Sequence, residues 1–218
     1  MSPSTVATDS GNKAAALDGV VSRYLNRPLS RPLARLAAHT PITPNQVTVV
    51  STVVAFAAAW LLASGHNVWA ALAIQASSII DGVDGDLARL TGRSSRFGAI
   101  FDAVLDRYAD AAIIGGMAWW AHKHEGYPGA LALGLVALTG AFAVSYSRAR
   151  AEASAGVTLG SDLLGVATRD VRLLIASAGC LLGQVYWSLA LIAVITHATV
   201  GRRLLLLRRR LGERPSRT

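Results

Sequence analysis

A single cysteine, Cys180, in 218 residues excludes a disulfide framework and a cysteine-built metal site. It sits among apolar residues and reads as part of a core. The histidines His39, His66, His122, His124 and His197 have no clustered ligand spacing, so no zinc-type constellation is present. Charge is scarce, at 16% of residues, and aromatics make up 6%. The Lys and Arg residues are not interleaved with aromatics as in a nucleic-acid groove, which argues against a nucleic-acid partner. Met1–Ala16 has no apolar run of the kind a cleaved signal carries, and reads as a flexible tail.

What the chain has in quantity is apolar surface: 52% hydrophobic residues and a mean hydropathy of +0.41, high for a soluble domain and expected for membrane helices. Stretches of about 20 apolar residues mark membrane spans. Six are expected, at 45–64, 68–88, 98–121, 127–147, 171–184 and 186–201, the fifth being short and charged at its start. The Lys and Arg residues of the tails, loops and span ends fall nineteen on one side against one on the other, with Arg107 inside the third span. The positive-inside rule then puts both termini in the cytoplasm and the protein in the cell membrane, with its basic rim on anionic lipid. Trp60, Trp69, Trp119, Trp120 and Trp187 fall at span ends, where aromatic belts lie.

Within 18–38, Arg23, Arg27, Arg31 and Arg35 recur every four residues with Leu25, Leu29, Leu33 and Leu36 between them. That pattern predicts an amphipathic helix lying in the membrane interface, bent or broken at Pro28 and Pro32. The organisation read from the sequence is a tail at 1–16, this interfacial helix at 17–40, an all-α integral membrane domain of six helices at 41–205, and a basic tail at 206–218. Gly156 to Gly165 reads as the one sizeable loop, and Gly179-x-x-x-Gly183 as a small-residue packing motif.

Against this apolar background stand Asp81, Asp84, Asp102 and Asp106. Each carboxylate near a bilayer centre costs about 2.5–3.5 kcal/mol, so four need a wet cavity and a counter-charge. Spacings of three and four place each pair on one helix face. Two helices thus present an oxygen-only site that suits Mg²⁺ or Mn²⁺. Asp86 lies about 140° around the helix from Asp81, at 100° per residue, and is expected to meet solvent or headgroups. Gly82, Gly85 and Ala88 leave room for a ligand to press on the backbone. With Arg89 beside them, the expected ligand is a metal-bound diphosphate. Two ions could stabilise both oxygens of an in-line displacement, and one carboxylate could take the proton of the attacking hydroxyl.

The string Asp81-x2-Asp84-Gly85-x2-Ala88-Arg89-x8-Gly98-x3-Asp102-x3-Asp106 resembles, at every defined position, the signature of the CDP-alcohol phosphotransferase family. The resemblance extends from the juxtamembrane helix through the six spans. It implies a homodimer in which the four aspartates hold two divalent ions on the cytoplasmic side and Asp106 is the general base. It also implies a nucleotide site of Thr48, Gly85, Ala88, Arg89 and Gly98. A substituted phosphoryl group would pass from a CDP-linked donor to an alcohol, releasing CMP.

Ser145-Tyr146-Ser147-Arg148-Ala149-Arg150-Ala151-Glu152-Ala153 is similar to a stretch of the members that make phosphatidylinositol phosphate, with Arg148 in place of Lys. Gln75–Gly82 and Arg169-Asp170-Val171-Arg172-Leu173 resemble the members that make di-myo-inositol phosphate phosphate. Both groups use inositol 1-phosphate, a phosphorylated polyol. Arg148, Arg150, Arg169, Arg172, Arg202 and Arg203 are the implied ligands of its phosphate. The donor stays open between CDP-diacylglycerol and CDP-inositol. Phosphatidyl transfer to glycerol 3-phosphate or another alcohol is an alternative. An ion-coupled transporter is the alternative of another class.

Overall fold

A computed structural model describes residues 21–155 and 166–212. The expected tail at 1–16 and the expected loop at 156–165 lie outside the described residues. The described residues are helical with short turns. A five-residue π-helical turn, Ser22–Asn26, runs into α1, Arg27–Ala38. Six longer helices follow: α2 (Pro44–Ala63), α3 (Asn67–Leu90), α4 (Arg96–His124), α5 (Ala130–Ala155), α6 (Arg169–Leu182) and α7 (Val185–Gly212). They fall on the six apolar stretches of the sequence, and α7 continues as helix through 206–212.

Pro44–Ala63, Ala130–Ser154 and Val185–Leu211 are long and apolar enough to cross a membrane, so the chain is a membrane protein. The helices α3 and α4 carry the aspartates, and α6 has only 14 residues.

Local chemistry sets the helix ends. Thr43 caps α2: its Oγ1 accepts from Gln46 N at 3.3 Å, while Gln46 Oε1 accepts from Thr43 N at 2.9 Å, and Pro44 takes the first helical position. Ser95 caps α4, accepting from Gly98 N at 2.9 Å. Glu125 accepts from Val185 N and Tyr186 N at 2.7 and 2.8 Å, placing a carboxylate at the N-terminus of α7.

Gly183, with φ +64°, ends α6 in the left-handed region. The expected Gly179-x-x-x-Gly183 packing motif is therefore split. Gly179 lies against Ser188 with no room for a Cβ, whereas Gly183 turns the chain.

The core is rich in alanine. Ala55, Ala58, Ala70, Ala71, Ala137 and Ala141 are buried beside Leu62, Ile74, Met117 and Leu189. Small residues let helices approach closely where lipid supplies no hydrophobic driving force between them. Gly116 shows the same contact, since a Cβ there would lie 3.0 Å from the Ala59 backbone. In the assembled bundle α3 packs against α1, α2 and α6, and α4 against α2, α5 and α7. Trp60, Trp69, Trp119 and Trp187 are exposed near helix ends, but Trp120 is buried and stacks on His124.

The helix expected at the membrane interface differs from the expectation. The helix runs through Pro32 to Ala38 without a break. Pro28 sits where the π-helical turn passes into α1, and the helix continues through it. Its docking face is Ser22, Asn26, Ser30 and Ala34, four apart and buried, while Leu25, Leu29, Leu33 and Leu36 point outward. Gly82 makes this docking possible: a Cβ there would stand 3.2 Å from both Cβ and Oγ of Ser30. Gly82 is therefore a helix-packing position as well as a cavity wall.

Candidate active site

The facing ends of α3, α4 and α6 meet at a cluster of carboxylates and guanidinium groups. Asp81, Asp102 and Asp106 each offer an oxygen, and these oxygens all lie within 4.8 Å of one another. Asp81 Oδ1 and Asp102 Oδ1 are buried with no hydrogen-bond partner. Orphaned buried carboxylate oxygens carry a large desolvation cost, which a bound cation offsets. The donor set is oxygen-only, as a hard divalent ion requires. These residues fit a divalent metal.

Of the four aspartates expected to act together, the structure groups three and sets Asp84 beside them. Asp84 is buried and accepts from Thr48 Oγ1 at 2.5 Å, so Thr48, expected at the nucleotide, also orients a carboxylate. Arg169, expected among the acceptor ligands, stands within the cluster. Its Nη1 is 2.7 Å from Asp81 Oδ2 and 3.0 Å from Asp106 Oδ1, and its Nε is 3.5 Å from Asp110 Oδ1. It supplies the counter-charge that so many buried carboxylates need.

Asp110 lies one turn beyond Asp106 on α4 and is almost wholly buried. It accepts from Arg172 Nη2 at 2.6 Å, with Arg107 Nε at 3.9 Å on its other side. Arg172 also donates to the Ala167 carbonyl at 2.9 Å.

Three cavities border Asp102. A cleft of about 210 Å³ between α2, α3 and the start of α4 is lined by Thr48, Gly85, Ala88, Arg89 and Gly98, all five of the expected nucleotide residues. Gly98 also lets α2 close on α4, since a Cβ there would stand 3.2 Å from Asn45 Oδ1. A second cavity of about 350 Å³ lies under α1 and reaches Asp81, Asp84 and Arg169. The third, about 510 Å³, carries Arg107, Arg148, Arg169, Arg172 and Arg203 around Asp106. Arg148 is about half exposed and pairs with Glu152 at 3.1 Å. Arg203 is buried and donates to Ser147 Oγ at 2.6 Å and to the Val144 carbonyl at 2.5 Å. Arg150 and Arg202 are exposed and line none of the three cavities.

Asp86 does not meet solvent as expected. It is buried, and its Oδ1 accepts from both Arg27 Nη1 and Arg89 Nη2 at 2.6 Å, while its Oδ2 accepts from Ser30 Oγ at 3.0 Å. The helix angle was right, but α1 covers that face.

Sequence reading also missed a polar network under α1. Asn26 Nδ2 donates to Ser78 Oγ at 2.9 Å and to Asp170 Oδ1 at 3.0 Å, and Gln75 Nε2 donates to Asn26 Oδ1 at 3.1 Å. The available signal was the four-residue recurrence of Ser22, Asn26 and Ser30 on an otherwise basic helix.

Comparison with known proteins agrees with this fold. A bifunctional IPC transferase and DIPP synthase of Rubrobacter xylanophilus is 45% identical over 200 residues, covering 91% of this chain. The chain spans only 45% of that relative's length. The fold superposes on a Mycobacterium tuberculosis phosphatidylinositol phosphate synthase crystallised with CDP-DAG bound, with a TM-score of 0.71 and 29% identity over 83% of this chain and 94% of the other. A structure of the same synthase in complex with manganese and citrate gives a TM-score of 0.69 at 30% identity, covering 80% and 87% of the two chains. The family model for CDP-alcohol phosphatidyltransferase matches residues 41–200, and the chain belongs to that family.

Proposed function

We propose that the protein transfers a substituted phosphoryl group from a CDP-linked donor to inositol 1-phosphate and releases CMP. The observation that carries this reading is the placement of one carboxylate cluster between a cleft lined by the five residues expected at the nucleotide and a cavity rich in arginine.

In this reading the cytidine lies against Gly85 and Ala88, where small side chains leave the backbone approachable. Arg89 meets the diphosphate. Asp81, Asp84, Asp102 and Asp106 would hold two divalent ions, Mg²⁺ or Mn²⁺, which would supply charge neutralisation of the diphosphate. The acceptor's phosphate lies in the arginine-rich cavity, with Arg148 and Arg203 as its cations, because Arg172 is committed to Asp110 and Arg169 to the carboxylate cluster. The acceptor hydroxyl oxygen forms a new bond to the phosphorus that bears the donor's alcohol. The bond from that phosphorus to the bridging oxygen breaks, and CMP leaves with the electron pair. The hydroxyl proton passes to Asp106.

The six helices α2–α7 each cross the membrane, α1 lies at its cytoplasmic surface, both termini and the site face the cytoplasm, and two copies form a homodimer. The lopsided distribution of Lys and Arg supports this orientation.

The test is CMP release by purified protein in Mg²⁺, with CDP-diacylglycerol and CDP-inositol each offered with inositol 1-phosphate and with glycerol 3-phosphate. Release that depends on inositol 1-phosphate supports the reading, and the productive donor decides between a lipid and a soluble product. Release only with glycerol 3-phosphate reassigns the acceptor.

A further inference from the structure

We propose that the cavity under α1 is the subsite for the donor's alcohol, that it takes a polyol ring such as inositol and not a diacylglycerol, and that Thr168 and Asp170 are its specificity-determining residues. This rests on the CDP-linked donor proposed above.

In an in-line displacement the entering hydroxyl and the leaving CMP stand on opposite sides of the phosphorus. The donor's own alcohol branches off that axis and needs a third space. The cavity under α1 adjoins both of the others: it shares Asp84 and Asp102 with the nucleotide cleft, and Thr168 and Arg169 with the arginine-rich cavity. Its volume of about 350 Å³ is that of a small-molecule site.

The lining decides which alcohol fits. Around this cavity the wall carries only polar and charged side chains and the glycines Gly82 and Gly85, whereas Pro44 and Ala99 border the nucleotide cleft and Val144 the arginine-rich cavity. Acyl chains there would strip water from polar groups and give nothing back. A polyol offers a hydrogen bond from each hydroxyl.

Two groups on α6 are placed to receive them. Thr168 is the N-cap residue of α6, where a threonine hydroxyl ordinarily accepts from a backbone N–H of the first turn. It makes no such bond here, and its Oγ1 is buried without a hydrogen-bond partner. A buried hydroxyl left unpaired is costly, and a ligand hydroxyl would satisfy it. Asp170 stands outside the metal cluster. Its Oδ1 accepts from Asn26 Nδ2 at 3.0 Å and lies 3.5 Å from Ser78 Oγ, and Ser22 bonds the same carboxylate. A carboxylate has about four acceptor sites, so one remains for a hydroxyl. Docking of α1 on α6 would account for the bond between Asn26 and Asp170. It does not account for an unpartnered hydroxyl on the wall of a wholly polar cavity.

The probes are CDP-inositol and CDP-ethanol, esters of the same nucleotide whose alcohols do and do not carry further hydroxyls. Binding of each, and of inositol 1-phosphate, to the full chain in detergent with Mg²⁺ is measured by calorimetry for wild type, Thr168→Val and Asp170→Asn. Wild type should bind CDP-inositol about tenfold or more tighter than CDP-ethanol, as one bond to a charged acceptor provides. Thr168→Val keeps the side chain's shape and removes a hydroxyl that bonds nothing in the fold, so its unfolding midpoint should not fall. It should weaken CDP-inositol binding about threefold to tenfold and leave CDP-ethanol and inositol 1-phosphate unchanged. Asp170→Asn should show the same selective loss, about tenfold or more. Because Asp170 also holds α1, the thermally silent Thr168→Val keeps the test decisive should Asp170→Asn unfold. Equal binding of the two esters by wild type, or no selective loss in Thr168→Val, overturns the polyol subsite and leaves the CDP-linked donor standing. Loss of inositol 1-phosphate binding with CDP-inositol binding unchanged gives the cavity to the acceptor and also overturns the proposal. Wild type that binds neither ester overturns the donor reading itself.

Discussion

Arg172 and Asp110 meet at 2.6 Å with both side chains almost wholly sealed from solvent. Such a pair contributes little net stability but is costly to break, because the partner left behind is a buried, uncompensated charge. Asp110→Ala should lower stability by about 3–5 kcal/mol, read as a fall in the midpoint of thermal unfolding in detergent. Replacing both partners by apolar residues should recover most of it. An unchanged midpoint for Asp110→Ala would show the pair to be without structural weight.

Arg169 lies against Asp81 and Asp106, two of the three oxygen donors that a metal would use. In Arg169→Gln the carboxylates lose their buried counter-charge. Mg²⁺ should then raise the unfolding midpoint more in the variant than in wild type, because ligand binding stabilises by mass action on the native state. Chelation with EDTA should abolish the difference that Mg²⁺ makes in both. An Mg²⁺-induced shift no larger than that of wild type would contradict the role of Arg169 as counter-charge.

Asp106→Asn keeps the shape of the side chain and removes the carboxylate proposed as proton acceptor. Turnover should fall by about 10²–10⁴-fold, the range for loss of a positioned general base, with CDP binding in Mg²⁺ retained. Activity within a few-fold of wild type would take Asp106 out of that role.

Arg148 is about half exposed, and its pairing with Glu152 is of the surface kind. Such pairs contribute about 0–1 kcal/mol, so Arg148→Ala should leave stability nearly unchanged. It should raise the Michaelis constant for inositol 1-phosphate more than that for the donor. The reverse pattern would move Arg148 to the nucleotide side.

The helices and the aspartate motif were legible because each is a local signal, a run of apolar residues or a spacing along one helix. Asp86 was not. Its angle around α3 follows from the sequence, but whether that face meets water depends on α1, whose Arg27 and Ser30 stand 59 and 56 residues away. Asp110 is a similar case, since the arginine that seals it lies 62 residues along the chain. The docking face of α1 stayed hidden for another reason. The leucines mark the exposed side of this helix, and its buried side is a row of small, mostly polar residues that hydropathy does not reveal.

The most direct test of the account is a crystal structure with Mn²⁺ and CDP, located by anomalous scattering from manganese. The account predicts manganese bounded by oxygens of Asp81, Asp84, Asp102 and Asp106, with the diphosphate beside Arg89 and the cytosine against Gly85 and Ala88. Manganese bound away from these carboxylates, or CDP lodged outside the cleft of Thr48 and Gly98, would contradict it.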